Sequence, residues 1–276
     1  MTGKRWNSST LSDFATALFE TAGLDTEKAT TIAAALVAAD MMGHTTHGMQ
    51  LCAPYLKALK DGSMRREGSP EVLSDRGAVA TWDGRRLPGV WLTARAVDQA
   101  VERAKLYGTA SIAIRRSHHI ACLAVFLERA TREGCMVQIT CSDPAVASVS
   151  PYGGTEPLFT PDPIAVGIPT SNDPILIDTS ASITTNGMTG RLHGEGKKLP
   201  GMWVQDADGT ASDDPNRASR DAAWERSKML VQLAASYEEQ VEVALGGLTQ
   251  LLEPVLIVFV GGVVGFIVIA MFLPLM

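Results

Sequence analysis

The sequence predicts an α/β protein with a helical N-terminal layer, followed by an amphipathic helix and one C-terminal transmembrane helix. Three observations predict it. From about residue 89 the hydrophobic pattern reads helix then strand, twice over, as an α/β layer requires. Near Ser219 the chain changes abruptly into a long amphipathic stretch. From Pro254 to Met276 run 23 residues without a charge, an amide or a histidine. A helix needs about 20 apolar residues to cross the roughly 30 Å hydrocarbon layer of a bilayer, so this segment is expected to span a membrane once.

The elements follow in chain order. Ser9 or Thr10 is a candidate cap for a first helix carrying Leu11, Phe14, Ala15, Leu18 and Phe19 on one face, ended by Gly23. Asp25 or Thr26 caps a second through the alanine-rich stretch to Met42, stopped by Gly43. A third covers residues 49–59, before Asp61-Gly62. Alternating residues at 72–73 and 78–82, with turn signals between and after them, predict a hairpin. Residues 92–107 read as a helix and 110–114 as a strand, then 123–132 as a helix and 136–140 as a strand. Apolar runs at 164–168 and 175–177 are expected to complete the sheet, and residues 186–216, rich in Gly, Asp and Pro, read as loop. Residues 222–246 form the amphipathic helix, with Met229, Leu230, Leu233, Tyr237, Val241 and Leu245 on its apolar face.

Composition excludes some functions. The 276 residues suffice for two domains, and 46% hydrophobic with 20% charged residues is ordinary for a globular chain. A formal charge of −6 without a basic patch argues against nucleic acid. Cys52, Cys122, Cys135 and Cys141 show no CxxC pairing and are expected to be reduced thiols. The N-terminus has no apolar run, so no signal peptide is expected. Arg220, Arg226 and Lys228 precede the span and no Lys or Arg follows it, which places the bulk on the cytoplasmic side of the inner membrane, anchored in lipid by a single pass.

The chain contains neither G-x-G-x-x-G nor G-x-x-x-x-G-K-[ST], so the ordinary dinucleotide and P-loop fingerprints are both missing. Its five histidines are the chemical signal. His44 and His47 follow a helix end, His118 and His119 follow a strand, and His193 sits in the late loop. The residues alone leave three readings open. One is hydrogen bonding to loop backbone, and another is general acid–base work on a small carbonyl substrate. The third is a metal held by His44, His47 and His119, but no acidic ligand sits at helpful spacing and no metal centre is expected.

The segments DMMGHTTHG, YLKALKDG, AIRRSHHIACLAVFLERA, PYGGTEPLFTPDPIAVGIPT and PILIDTSASITTNGMTGRL occur in order between about residues 10 and 217. Together they resemble the malate/L-lactate dehydrogenase family of NAD(P)-dependent 2-oxoacid and imino-acid reductases, whose fold is not Rossmann. The resemblance implies NAD or NADP as cofactor and a small 2-oxoacid or 2-hydroxyacid as substrate. It implies that His47 donates a proton to the substrate carbonyl, that Thr46 orients substrate, and that His119 is the second active-site histidine. Ser142, Asp178, Ser180 and Ser182 match positions that contact the cofactor. Several positions depart from the family pattern: Leu51 stands where an arginine often holds the substrate carboxylate, His118 replaces the asparagine of Asn-His, and Asp162 replaces that of Asn-Pro.

The family's later Gly- and Lys-containing cofactor loop is also missing after residues 206–215, so the domain at 1–218 is expected to be incomplete. Weak or absent cofactor binding and exposed apolar surface are expected to follow. The end of the chain, SYEEQVEVALGGLTQLLEPVLIVFVGGVVGFIVIAMFLPLM, resembles the inner-membrane platform protein of type II secretion and type IV pilus systems. This gives three segments: the dehydrogenase-like domain at 1–218, a linker helix at 219–253 and the span at 254–276. Gly261-x-x-x-Gly265 is a candidate pairing face for a homodimer. Reductase is the expected function, with a membrane-assembly component or an inactive fusion of the two as alternatives.

Overall fold

The computed structural model describes residues 5–143, 147–151, 154–206 and 208–217. The linker helix, the transmembrane segment and Gly261-x-x-x-Gly265 lie outside the described residues, as does the boundary near Ser219. Among the described residues no helix is long and apolar enough to cross a membrane.

The N-terminal layer is helical, as its capping chemistry dictates. Asn7 starts α1 (Ser8–Thr21), its side-chain oxygen accepting from the N–H groups of Ser9 and Thr10 at 2.9 and 3.2 Å. The cap is therefore Asn7, two or three positions before the predicted hydroxyls. Asp25 starts α2 (Thr26–Met41) by accepting from Lys28 N–H at 2.9 Å. A 3₁₀ turn at Met49–Leu51 leads into α3 (Cys52–Asp61), which ends at Gly62 in the left-handed region at φ +80°. Phe19, Ile32, Leu36, Leu59 and Met64 from this layer share one core with Val90 of α4 (Gly89–Tyr107) and with Phe126. Fully burying side chains of this size is worth about 1.5–3 kcal/mol each.

The first six strands form two separate three-stranded sheets, where a single sheet was expected. In the first, β1 (Glu71–Asp75) pairs antiparallel with β2 (Val79–Asp83), and β2 pairs parallel with β3 (Ser111–Arg115). Helix α4 makes the crossover between β2 and β3. In the second, β4 (Val137–Thr140), β5 (Ile164–Ile168) and β6 (Ile175–Thr179) are all antiparallel. Local pattern marks a strand but not its partner, and β4 pairs forward to β5 instead of back to β3. The predicted helix at 123–132 divides into a 3₁₀ turn at Ala124–Phe126 and the short α5 (Glu128–Thr131). It lies on β5 so closely that a Cβ at Gly167 would meet Thr131 Cγ2 at 2.8 Å.

The expected loop at 186–216 contains α6 (Asn186–Gly194), capped by Thr185, and the pair β7 (Val204–Gln205) and β8 (Ala211–Ser212). His193 therefore lies on a helix. Val149, Leu199 and Val204 give this region a small core of its own. Val72 and Val79 of the first sheet and Ile164 and Ile175 of the second remain exposed.

Candidate active site

Two loops bring histidines together. After α2, Gly43 at φ +89° turns the chain back and His44 N–H donates to Ala39 O at 2.8 Å. Asp40 fixes the next turn, its Oδ2 accepting from Met49 N–H at 2.9 Å. Its carboxylate occupies the space above Gly48, where a Cβ would lie 2.1 Å from Asp40 Oδ1. The glycine after His47 is thus demanded by a packed carboxylate.

The second loop leaves β3 and is tied to residues 84–89. Buried Asp83 binds Arg116 and Arg115, and the Arg116 guanidinium holds its carboxyl at about 2. Backbone hydrogen bonds run from Gly84 N–H to Arg115 O and from Arg86 N–H to Arg116 O, both 2.7 Å, and from His118 N–H to Leu87 O at 3.2 Å. Gly89 completes the contact: a Cβ there would lie 2.1 Å from His118 O and 2.6 Å from His119 O. Arg85, Arg86, Arg116 and Ala121 all adopt positive φ, between +52° and +60°. These are conformations that side-chain-bearing residues visit at a cost.

His47 and His119 stack with ring centroids 5.9 Å apart and planes at 16°. Nδ1 of His119 accepts from Ala121 N–H at 3.1 Å, a group that can only donate, so the ring proton sits on Nε2. The Tyr55 hydroxyl, 2.7 Å from the same Nδ1, must then also donate to it. Burial, with His47 and His118 adding to it, lowers His119 to about 4, so the ring is neutral near pH 7. His47 is also lowered, first by burial, while Asp178 pulls it back up. Thr46 Oγ1 lies 3.0 Å from His47 Nδ1. His118 packs edge-on against Tyr55 at 6.0 Å and is lowered by burial and then by Arg86.

The residues matched to cofactor contacts are placed differently. Asp178 on β6 accepts from Ala124 N–H at 2.8 Å and from the Cys122 thiol at 3.4 Å. Its charge reaches His47, but its hydrogen bonds go to the Cys122–Ala124 segment. Ser142 donates to Asp162 Oδ1 at 2.8 Å. Ser180 donates to Ser182 O at 3.0 Å and Ser182 to Thr184 O at 2.6 Å, so both hydroxyls close their own turn. Free polar atoms lie elsewhere: the buried hydroxyls of Ser148, Thr184 and Thr189 have no hydrogen-bond partner among the described residues. Buried hydroxyls in that state suit a polar group such as a ribose or phosphate of a dinucleotide.

Three participants escaped the sequence reading. Tyr55 opens the segment YLKALKDG, but no role was read for it there. Arg191 of α6 donates to Thr45 Oγ1 at 2.9 Å, beside Thr46 and His47. Gly187 allows that approach, since a Cβ there would lie 3.3 Å from Thr46 Cβ; Thr185, three positions before Met188 and capping it, was the available signal. Cys122 joins His44 and Asp178, with all three potential ligand atoms within 4.8 Å of one another. The four cysteines are free thiols.

The family model for malate/L-lactate dehydrogenase matches residues 6–235, and that for type II secretion system protein F matches residues 225–274. Hydroxycarboxylate dehydrogenase B of Escherichia coli is 27% identical over 214 residues, covering 77% of this chain and 59% of the relative. The (2R)-3-sulfolactate dehydrogenase (NADP(+)) of Chromohalobacter salexigens is 30% identical over 205 residues, covering 74% and 61%. The chain thus spans about three fifths of the length of these curated relatives. Malate dehydrogenase from Entamoeba histolytica superposes with a TM-score of 0.75 at 26% identity, covering 80% of this chain and 63% of that one.

Proposed function

Since the chain belongs to the malate/L-lactate dehydrogenase family, we propose that it is an oxidoreductase interconverting a small 2-hydroxyacid with its 2-oxo or imino form, using NAD or NADP. The observation that carries this reading is the stacked His47–His119 pair, one ring placed to exchange a proton and the other kept neutral. When bound, the nicotinamide supplies or accepts the hydride. In reduction, protonated His47 gives its proton to the carbonyl oxygen as the carbon gains hydride; in oxidation, neutral His47 takes the hydroxyl proton.

His119 presents Nε2–H to the same oxygen, and its neutrality spares His47 a like charge at 5.9 Å. Thr46 orients the His47 ring through Nδ1. Arg191 takes the role of the arginine absent at Leu51 and holds the substrate carboxylate. On the dinucleotide, Thr184 and Thr189 are the better contacts than Ser180 and Ser182, whose hydroxyls are already engaged.

The match at residues 225–274 supports a second element of the proposal, residence in the inner membrane with the dehydrogenase-like part on the cytoplasmic side. Pairing through Gly261 and Gly265 would make the anchored chain a dimer.

The test is titration of NADH and NADPH into the detergent-solubilised full chain by fluorescence, with a 2-oxoacid panel for turnover. Saturable binding is expected. His47→Ala should lower kcat about 10²–10⁴-fold, whereas Arg191→Ala should raise KM with kcat little changed. No binding up to millimolar cofactor overturns the reading.

A further inference from the structure

We propose that His44, Cys122 and Asp178 form a three-ligand site for a borderline divalent cation of the Zn²⁺ or Co²⁺ type. The proposal is independent of the reductase reading. The three residues come from separate segments: the turn after α2, the loop after β3, and β6. Their ligand atoms nonetheless converge within 4.8 Å of one another.

Cys122 Sγ and Asp178 Oδ2 are 3.4 Å apart. Bonds of about 2.3 Å to sulfur and about 2.0–2.2 Å to oxygen, set at a tetrahedral angle, require an edge of roughly 3.5 Å. That edge is already formed. The imidazole nitrogen lies within 4.8 Å of both, close enough for a small rotation to complete a face around a common centre.

The donor set selects the metal. One thiolate, one imidazole and one carboxylate are the ligands of a borderline cation, whereas magnesium and calcium take oxygen. Charge agrees, since thiolate and carboxylate together offset a 2+ ion and leave a neutral cluster in a partly buried place. Binding forms the metal–sulfur bond and releases the Cys122 proton to solvent. His44 is half-exposed, which provides the entry path, and a fourth position is left for water or a ligand oxygen. Ala124 N–H, 2.8 Å from Asp178 Oδ2, orients the carboxylate as supporting hydrogen bonds do at metal sites.

The experiment titrates Co²⁺ into the full chain and follows thiolate-to-cobalt charge-transfer absorption, with Zn²⁺ as competitor. A band saturating at one equivalent and displaced by Zn²⁺ is expected. Cys122→Ser should abolish it, and His44→Gln or Asp178→Asn should weaken affinity at least tenfold. If Cys122→Ser fails to fold, His44→Gln, in the half-exposed turn, gives the same reading. Absence of the band at millimolar Co²⁺, or a band that persists in Cys122→Ser or is unchanged in His44→Gln, overturns the proposal.

Discussion

Tyr55 on α3 donates its hydroxyl to Nδ1 of His119, at 2.7 Å and across 64 residues of sequence. Burial pushes the phenol far above its ordinary value, so it stays protonated and remains a donor. The Ala121 N–H shares the same acceptor. Two donors aimed at one nitrogen favour the neutral ring and fix which nitrogen carries its proton.

Tyr55→Phe should release part of that constraint. The buried ring keeps one donor, stability falls by about 1 kcal/mol, and the His119 pKa rises from about 4 towards the ordinary histidine value. An imidazole NMR titration of both proteins checks the direction.

Acid should destabilise the fold through the same residue. His119 titrates near 6.5 when unfolded and near 4 when folded, so the unfolded chain binds more protons between those values. Its contribution is complete above pH 6.5 and is lost as pH falls towards 4, amounting to roughly 3 kcal/mol. His47 and His118 are lowered too and act in the same sense. Denaturant titrations from pH 7 to 4 should show a shallower decline in His119→Gln than in the parent.

On the proposed reading, the proton demand at His47 gives the two directions of reaction opposite pH dependences. Because burial lowers this histidine below 6.5, its protonated form is scarce near neutrality. Reduction should quicken as pH drops below the usual histidine range, while oxidation should hold its rate down to lower pH than an ordinary histidine base permits. Opposed pH profiles of kcat/KM for the two directions check this.

Gly89→Ala should damage the site without touching a reactive group. The new methyl would meet backbone oxygens of His118 and His119 at 2.1 and 2.6 Å, and backbone cannot rotate away. The expected cost is on the order of 2–3 kcal/mol, in the range of overpacking changes, with turnover falling more than stability alone explains. Thermal melts alongside initial rates separate the two.

Arg85→Gly should stabilise the chain. Exposed Arg85 sits at φ +52°, which costs a side-chain-bearing residue about 1–2 kcal/mol. Glycine removes that strain while giving back about 0.5–1 kcal/mol of chain entropy. A net gain of about 0.5–1 kcal/mol should appear in denaturant midpoints.

Helices α1 to α4 were largely legible because caps and terminal glycines act locally: Gly23, Asp25, Gly43 and Gly62 all punctuate as read. The histidine loop was legible through its motif, and the structure brings Thr46 and His47 together with His119. Sheet membership was not legible. Residues 110–114 and 136–140 present the same local pattern, yet the first pairs back to β2 and the second forward to β5. Helix α6 was hidden by Gly187, Gly190 and Gly194, each costing a helix about 1 kcal/mol. Its docking against Thr45 and Thr46 offsets that cost, and this contact lies far outside any local window.

The hydrogen bond between Arg191 and Thr45 spans 146 positions, and that between Asp178 and Ala124 spans 54. Loops of this length must close before their contacts reward the entropy spent, which makes such contacts late events. The helical layer can nucleate from neighbours in sequence, while the contacts that β6 and α6 make to the two histidine loops form late. During synthesis His47 emerges long before residues 178 and 191, so on the proposed reading the site is completed as a final step. A chain halted before residue 175 should therefore be helical by circular dichroism and catalytically silent.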